Sequence, residues 1–228
     1  MIVQQLGARG AQIVAQDLDG AGLERERDND LITSSGDLTA GSYRSALVDL
    51  CQSRGVDTVI LAHGVEGAGA LHQLDDGRVR RVMSINATSV VALTQSLLPQ
   101  LRERQGVVVI VASQAGLQGE PNLAAYCASK FALVGWARRL SAVLAADGVQ
   151  LRLLCPGCTR TPLLMDSLKG FAAAANMSLD QAVAERVSRI AVGRIADAEE
   201  TAAAAVYLAD RSAPRPPLLA ATGGEVLC

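Results

Sequence analysis

Short apolar runs of strand length alternate with longer stretches of helical periodicity from one end of the chain to the other. This is the pattern of a parallel sheet covered by helices on both faces. Residues 1 to 8 read as the end of a helix closed by Gly10, and AQIVAQ at 11 to 16 reads as a strand leading to Asp17. Leu31 to Thr33 reads as a short second strand, followed by Gly36, Asp37 and a helix from about Tyr43 to Ser53. VDTVILA at 56 to 62 is a buried strand, and a long helix is predicted from about Asp76 to Glu103. VVVIVA at 107 to 112 is the most strand-like segment, an unbroken apolar, β-branched run ending at Ser113. A helix from about Leu123 to Ala146 follows, then the strand VQLRLLC, ended by Pro156 and Gly157. Residues 163 to 190 read as mobile helical cover over the strand ends; a helix at about 198 to 209 and a short strand near 225 to 228 complete the chain. Open parallel sheets bind ligands beyond the carboxyl ends of their strands. Asp17, Gly64, Ser113 and Pro156 each follow a predicted strand, so they are expected along one edge.

Composition narrows the class. A chain of 228 residues fits one domain with a substantial core, without linker or repeat. Half the residues are hydrophobic but only 3% aromatic, so that core is built from Ala, Val, Leu and Ile. A formal charge of -2 with both signs interspersed gives no footprint for nucleic acid or an anionic membrane, which points to a small molecule or another copy of the chain as partner. The five cysteines, at 51, 127, 155, 158 and 228, form no secreted disulfide framework. No basic segment with an apolar run opens the chain, and the apolar runs are shorter than the ~18 residues of a membrane span. A soluble, cytoplasmic protein is expected.

The chemistry concentrates around YCASK at 126 to 130, where Tyr126 and Lys130 lie four residues apart and so share a helix face. An ammonium beside a phenol favours the phenolate and brings tyrosine toward general acid/base range. Ser113 ends a buried strand thirteen residues earlier, and Asn86 lies within SINAT in the preceding long helix. Bland readings exist: Ser113 could cap a strand end, and Asn86 could be a satisfied polar helix residue. CPGC at 155 to 158 has the spacing of a redox or zinc pair but no second ligand pair, so no metal is expected.

Taken in order, VIVASQAG, AAYCASKFALVGWARRLS, CPGCTRTP and GRIADAEETAAAAVYLA resemble the short-chain dehydrogenase/reductase family along nearly the whole chain. The resemblance implies an α/β, Rossmann-like doubly wound parallel sheet in a single domain, with Asn86, Ser113, Tyr126 and Lys130 as the catalytic tetrad. Tyr126 would exchange a proton with an alcohol or ketone oxygen, and Ser113 would hydrogen-bond that oxygen. Lys130 would lower the tyrosine pKa and hold the nicotinamide ribose, while Asn86 would keep a water and the backbone in place. On the cofactor side Asp17, with Asp19 close by, corresponds to the carboxylate for the adenosine ribose and favours NAD over NADP. Asp37 and Leu38 correspond to the adenine contacts, and Pro156, Gly157, Thr159 and Thr161 to the nicotinamide side. Ala62 and Gly64 stand in LAHG, at cofactor-contacting positions where the family commonly has NNAG. Leu61 and Ala62 lack the asparagine amides, and His63 could titrate there or serve as a hydrogen-bonded structural residue.

One family feature does not appear in this sequence. MIVQQLGARG matches the helix after the TGxxxGxG turn, so that turn and its strand would lie upstream of Met1 and the sheet reads as N-terminally truncated. The sequence leaves three explanations open: a shortened product of a longer gene, a repacked sheet, or a strand supplied by another subunit. Gly64, Gly67 and Gly69 do not substitute, because their spacing is G-x-x-G-x-G and the following LHQLDD opens no obvious helix. The resulting expectation is an oxidoreductase interconverting a secondary alcohol and a ketone with a nicotinamide cofactor. A cofactor-independent isomerase, lyase or cyclase using Tyr126 and Ser113, or a non-catalytic partner subunit, is the alternative. Gln114, Gln118, Glu120, Asn122, Leu163, Leu164, Met165, Leu168 and Phe171 are expected to shape a largely apolar substrate pocket. The resemblance further implies a homodimer or homotetramer built on the helices at 76 to 103 and 123 to 146.

Overall fold

A computed structural model of the chain describes residues 1–24, 31–67, 74–212 and 214–226. Strands and helices alternate as the patterning requires. Helix α1 (Ile2–Gly7), strand β1 (Ile13–Asp17), helix α2 (Gly20–Glu24), strand β2 (Leu31–Ser35) and helix α3 (Gly41–Arg54) form the first part. Strand β3 (Thr58–Leu61) leads to a long helical stretch made of α4 (Asp76–Met83), a π-turn (Ser84–Thr88) and α5 (Ser89–Glu103). Strand β4 (Val107–Val111), a 3₁₀ turn (Gln114–Gly116), helix α6 (Ala124–Ala146) and strand β5 (Gln150–Pro156) follow. Helices α7 (Pro162–Ala174), α8 (Leu179–Val187) and α9 (Ala198–Ala209) precede strand β6 (Leu218–Ala221).

The last strand lies earlier than the sequence suggests. LLAA at 218 to 221 pairs in parallel with Leu153–Pro156, and the positive φ angles of Gly223 and Gly224 then turn the chain, so 225 and 226 are not strand; 227 and 228 lie outside the described residues. The run is short and alanine-rich, and partnership with β5 makes it a strand where propensity does not.

All pairings are parallel, but the ladders form two groups among the described residues: β1 with β2, and β3-β4-β5-β6 in that order. Within the larger sheet the apolar run of β4 divides by parity. Val108 and Ile110 join the cluster under α3, α5 and α6, with Leu93, Leu97, Leu133 and Ala137, whereas Val107 and Val109 join Ala205 and Leu208 of α9 on the other face. An uninterrupted apolar strand is thus one with both faces covered. The stretch Asp76–Glu103 is long and apolar enough to cross a membrane by composition, yet Val90, Leu93, Leu97 and Leu101 are buried in this core.

Arg152 is the exception inside β5, buried in an otherwise apolar strand. Its guanidinium bonds to the carbonyls of Leu208 and Asp210 at the end of α9 and to the Gln150 side chain. A cation at a helix C-terminus satisfies acceptors the helix leaves open. Replacing Arg152 by Met is expected to cost about 1–3 kcal/mol for each carbonyl left unpaired. Urea unfolding measures this loss, and an unchanged midpoint contradicts the capping role.

Candidate active site

The carboxyl ends of the strands open on one cavity of about 1230 Å³, lined by residues from the ends of β1, β3, β4 and β5 and by α7 and α8. Ser113 stands just past β4, where its Oγ accepts a hydrogen bond from the Ala115 N–H at 3.1 Å and opens the 3₁₀ turn. Gly116 closes that turn against α6: a Cβ there would lie 2.7 Å from the Lys130 carbonyl oxygen. This close approach sets Ser113 near Tyr126, close enough for its hydroxyl to act on the phenol. Lys130 lies one helical turn after Tyr126, buried, with Nζ donating to the Val111 carbonyl at 3.2 Å and 5.6 Å from the Tyr126 ring centroid.

The electrostatics differ from the expectation of a lowered phenol. Burial pushes the Tyr126 pKa up and outweighs the opposing effect of the Ser113 hydroxyl, while burial brings Lys130 down to about 8. A low-dielectric cleft disfavours both charged forms.

Asn86 is fully buried in the π-turn. Its Oδ1 accepts from the Val65 N–H at 2.7 Å, and Nδ2 donates to the Val65 carbonyl at 2.8 Å and to Ser129 Oγ at 3.0 Å. Ser129 Oγ in turn donates to the Tyr126 carbonyl at 2.7 Å. One amide therefore joins the loop after β3 to the first turn of α6. A π-turn inserts a residue into helical spacing, which is how Asn86 faces inward here and why a helical reading of 76 to 103 misses the device. His63 Nε2 lies 2.8 Å from Ser89 Oγ, whose proton goes to the Ile85 carbonyl at 2.7 Å, so His63 donates from Nε2. Burial, with Lys130 nearby, lowers its pKa to about 4, so it is neutral and anchors the loop to α5.

Of the sequence-selected cofactor positions, Asp17, Ala62, Gly64, Tyr126, Lys130, Pro156, Gly157, Thr159 and Thr161 all line the cavity. Asp17 Oδ1 accepts from the Asp19 N–H, Thr159 Oγ1 pairs with Thr201 Oγ1 at 2.9 Å, and Thr161 caps α7. Asp37 and Leu38 do not line it. The Asp37 carboxylate takes the backbone N–H and hydroxyl of Thr39, bonds that hold its pKa below the usual range, and the Leu38 side chain lies in the core. Of the substrate-side positions, Gln114, Glu120, Asn122, Leu163, Leu164, Leu168 and Phe171 line the cavity. Gln118 does not, and Met165 packs with Ile190 and Ile195 beneath it. Gly67 is buried against α4, and Gly69 lies outside the described residues.

A family model described as short chain dehydrogenase matches residues 1–170. The chain belongs to the short-chain dehydrogenase/reductase family. It is 30% identical over 210 residues to 2-(S)-hydroxypropyl-CoM dehydrogenase 3 of Xanthobacter autotrophicus, covering 87% of this chain and 80% of that one. It is 27% identical over 222 residues to D-beta-hydroxybutyrate dehydrogenase of Cupriavidus necator, covering 93% and 86%. The crystal structure of a variant actinorhodin polyketide ketoreductase with NADPH superposes with a TM-score of 0.90 at 26% identity, over 98% of this chain and 91% of that one. Membership of this family makes the chain an oxidoreductase with a Rossmann-like fold. A dinucleotide fits the residues at the two ends of the cavity: an acidic side chain after β1, and hydroxyls, small residues and the lysine beside Tyr126. No glycine-rich turn stands between them among the described residues.

This short-chain dehydrogenase/reductase also carries a buried ion cluster that sequence reasoning does not find. Arg186 of α8 donates to Cys158 Sγ at 2.7 Å, to Glu120 at 3.1 Å and to Glu225 at 2.9 Å. The three charged side chains are 14%, 9% and 5% exposed. Gln114, the neighbour of Ser113, donates to Glu120 at 2.8 Å, so the cluster joins the turn after β4 to the helical cover. Burial alone would raise Glu120, but Arg186 outweighs it and holds the carboxyl below its usual range. A group whose folded pKa is depressed contributes stability above its unfolded value and loses it as pH falls through the folded one. Arg186→Met is therefore expected to lower stability by about 3–5 kcal/mol near neutral pH. Thermal unfolding should show the gap to wild type shrinking as pH falls below the ordinary carboxylate value of 4.5; a gap independent of pH removes the ion pair as its cause.

Proposed function

We propose that this protein interconverts a secondary alcohol and its ketone with a nicotinamide cofactor, NAD in preference to NADP. The observation that carries the reading is the placement of the Ser113 and Tyr126 hydroxyls close together at the wall of the cavity, with Lys130 one turn further along α6. The substrate oxygen lies between the two hydroxyls. Ser113 has its N–H partner on the acceptor side, which leaves its proton to donate to that oxygen. Tyr126 gives the oxygen a proton in ketone reduction and removes one in alcohol oxidation. A bound nicotinamide supplies or accepts the hydride, and the protein contributes orientation and proton transfer.

Asp17 supports NAD, because a carboxylate at the ribose hydroxyls repels a 2′-phosphate; the NADPH held by the actinorhodin ketoreductase variant makes NADP the competitor to test. Leu163, Leu164, Leu168 and Phe171, with Gln114 and Asn122, support a largely apolar substrate with a few polar handles. The same reading includes a cytoplasmic homodimer or homotetramer using the helical stretch from α4 through α5 together with α6, the last exposing Phe131 and Val143.

Calorimetric titration is expected to show NAD binding about tenfold or more tighter than NADP, and Tyr126→Phe to lower kcat by about 10²–10⁴. No binding of either dinucleotide at millimolar concentration overturns the reading in favour of cofactor-independent proton transfer or a non-catalytic subunit.

The pH dependence has a sign as well. Because burial raises the phenol and Lys130 titrates near 8, the base form of Tyr126 accumulates only in alkali. Alcohol oxidation should rise by up to about tenfold per pH unit in that range, and ketone reduction, which needs the phenol, should not. An oxidation rate flat in pH argues against Tyr126 as the base.

A further inference from the structure

The loop after β3 places a carboxyl in the cavity that neither the catalytic tetrad nor the cofactor positions account for. Glu66 lines the same cavity as Tyr126 and is close enough that its charge opposes formation of the phenolate. Both of its neighbours are fixed. Val65 is held at N–H and carbonyl by Asn86, at 2.7 and 2.8 Å. Gly67 is buried where a Cβ would lie 2.7 Å from Val82 Cγ2 and 3.6 Å from the Ala125 Cβ. Glu66 is thus positioned by the residues that build the site.

Among the described residues, no cation forms a salt bridge with Glu66. Burial and the nearby Asp166 raise its pKa, against a smaller lowering by the nearby Ser167 hydroxyl of α7. The described cations that line the cavity are engaged elsewhere: Arg186 by Glu120 and Glu225, Arg189 by Glu185 at 2.9 Å, and Lys130 by the Val111 carbonyl at 3.2 Å. Arg78 also has a partner of its own. Arg186 faces two carboxylates, so its cluster adds no positive charge to the cavity. A partly buried carboxyl without a cation is costly to ionise, and a ligand ammonium or hydroxyl removes that cost through a charge-assisted bond.

We infer that Glu66 determines specificity: it favours substrates bearing an ammonium or a hydroxyl near the reacting carbon and disfavours anionic ones. The inference rests on the alcohol–ketone reading of the cleft. It is tested with three alcohols of one skeleton, 4-aminobutan-2-ol, butane-1,3-diol and 3-hydroxybutyrate, using NAD and NADP. Wild type is expected to oxidise the amino alcohol with a kcat/KM about tenfold or more above that of the acid, and Glu66→Gln to collapse this ratio to about threefold or less through KM. A wild-type enzyme that takes the acid as well as the amine overturns the inference, as does a ratio that survives Glu66→Gln. If none of the alcohols is oxidised, the oxidoreductase reading fails for them and calorimetry still decides the role of Glu66. Binding of 4-aminobutan-2-ol that weakens about tenfold in Glu66→Gln upholds it, and equal binding to the two proteins, or none to wild type, overturns it.

Discussion

The Asn86 amide holds both main-chain groups of Val65, and the catalytic edge of this fold is assembled around that clamp. Its third bond, to Ser129, continues to the Tyr126 carbonyl, so the loop after β3 and the start of α6 share one buried polar connection. A fully satisfied buried network is rigid because each bond lost would strand a desolvated group. The 3₁₀ turn after β4 is referred to the same helix through Gly116 and the Lys130 carbonyl. Ser113, Tyr126, Lys130 and Glu66 thus take their relative positions from the buried Asn86 and Ser129 side chains and from the close approach of Gly116 to α6.

Burial governs the charges at this edge. It raises Tyr126 and lowers Lys130, so a neutral phenol stands beside a weakened ammonium rather than a phenolate beside a full one. It also lowers His63, which becomes a neutral tie between β3 and α5. Arg186 is different: burial alone would lower it, but Cys158 and Glu120 carry it upward, and it stays charged because its partners are buried with it. One side of the cleft therefore holds paired charges and the other holds groups that burial keeps from charging.

Much of this was legible in the sequence. The alternation of apolar runs and helices located nearly every element, and the short-chain dehydrogenase/reductase resemblance placed Ser113, Tyr126, Lys130 and the residues after β1 and β5 on one cavity. Leu38 and Asp37 were less legible, since a residue type in a matching motif does not show whether its side chain turns to the core or to a neighbour. The final strand was displaced because LLAA becomes a strand through pairing with β5. Arg186 had no local signal at all, its partners being 66, 28 and 39 residues away. Glu66 did have one, an acidic residue just past a strand end, and only its fixed neighbours give that signal meaning.

The sequence by itself determined the family and the parallel α/β order, because these are carried by periodicity and by motifs of fixed local spacing. Tertiary structure alone decided the division of the ladders into β1-β2 and β3-β4-β5-β6 among the described residues, the inward turn of Asn86, the raised phenol and the setting of Glu66 in the cavity. Those properties depend on burial and on partners distant along the chain, and neither is encoded in any local stretch of residues.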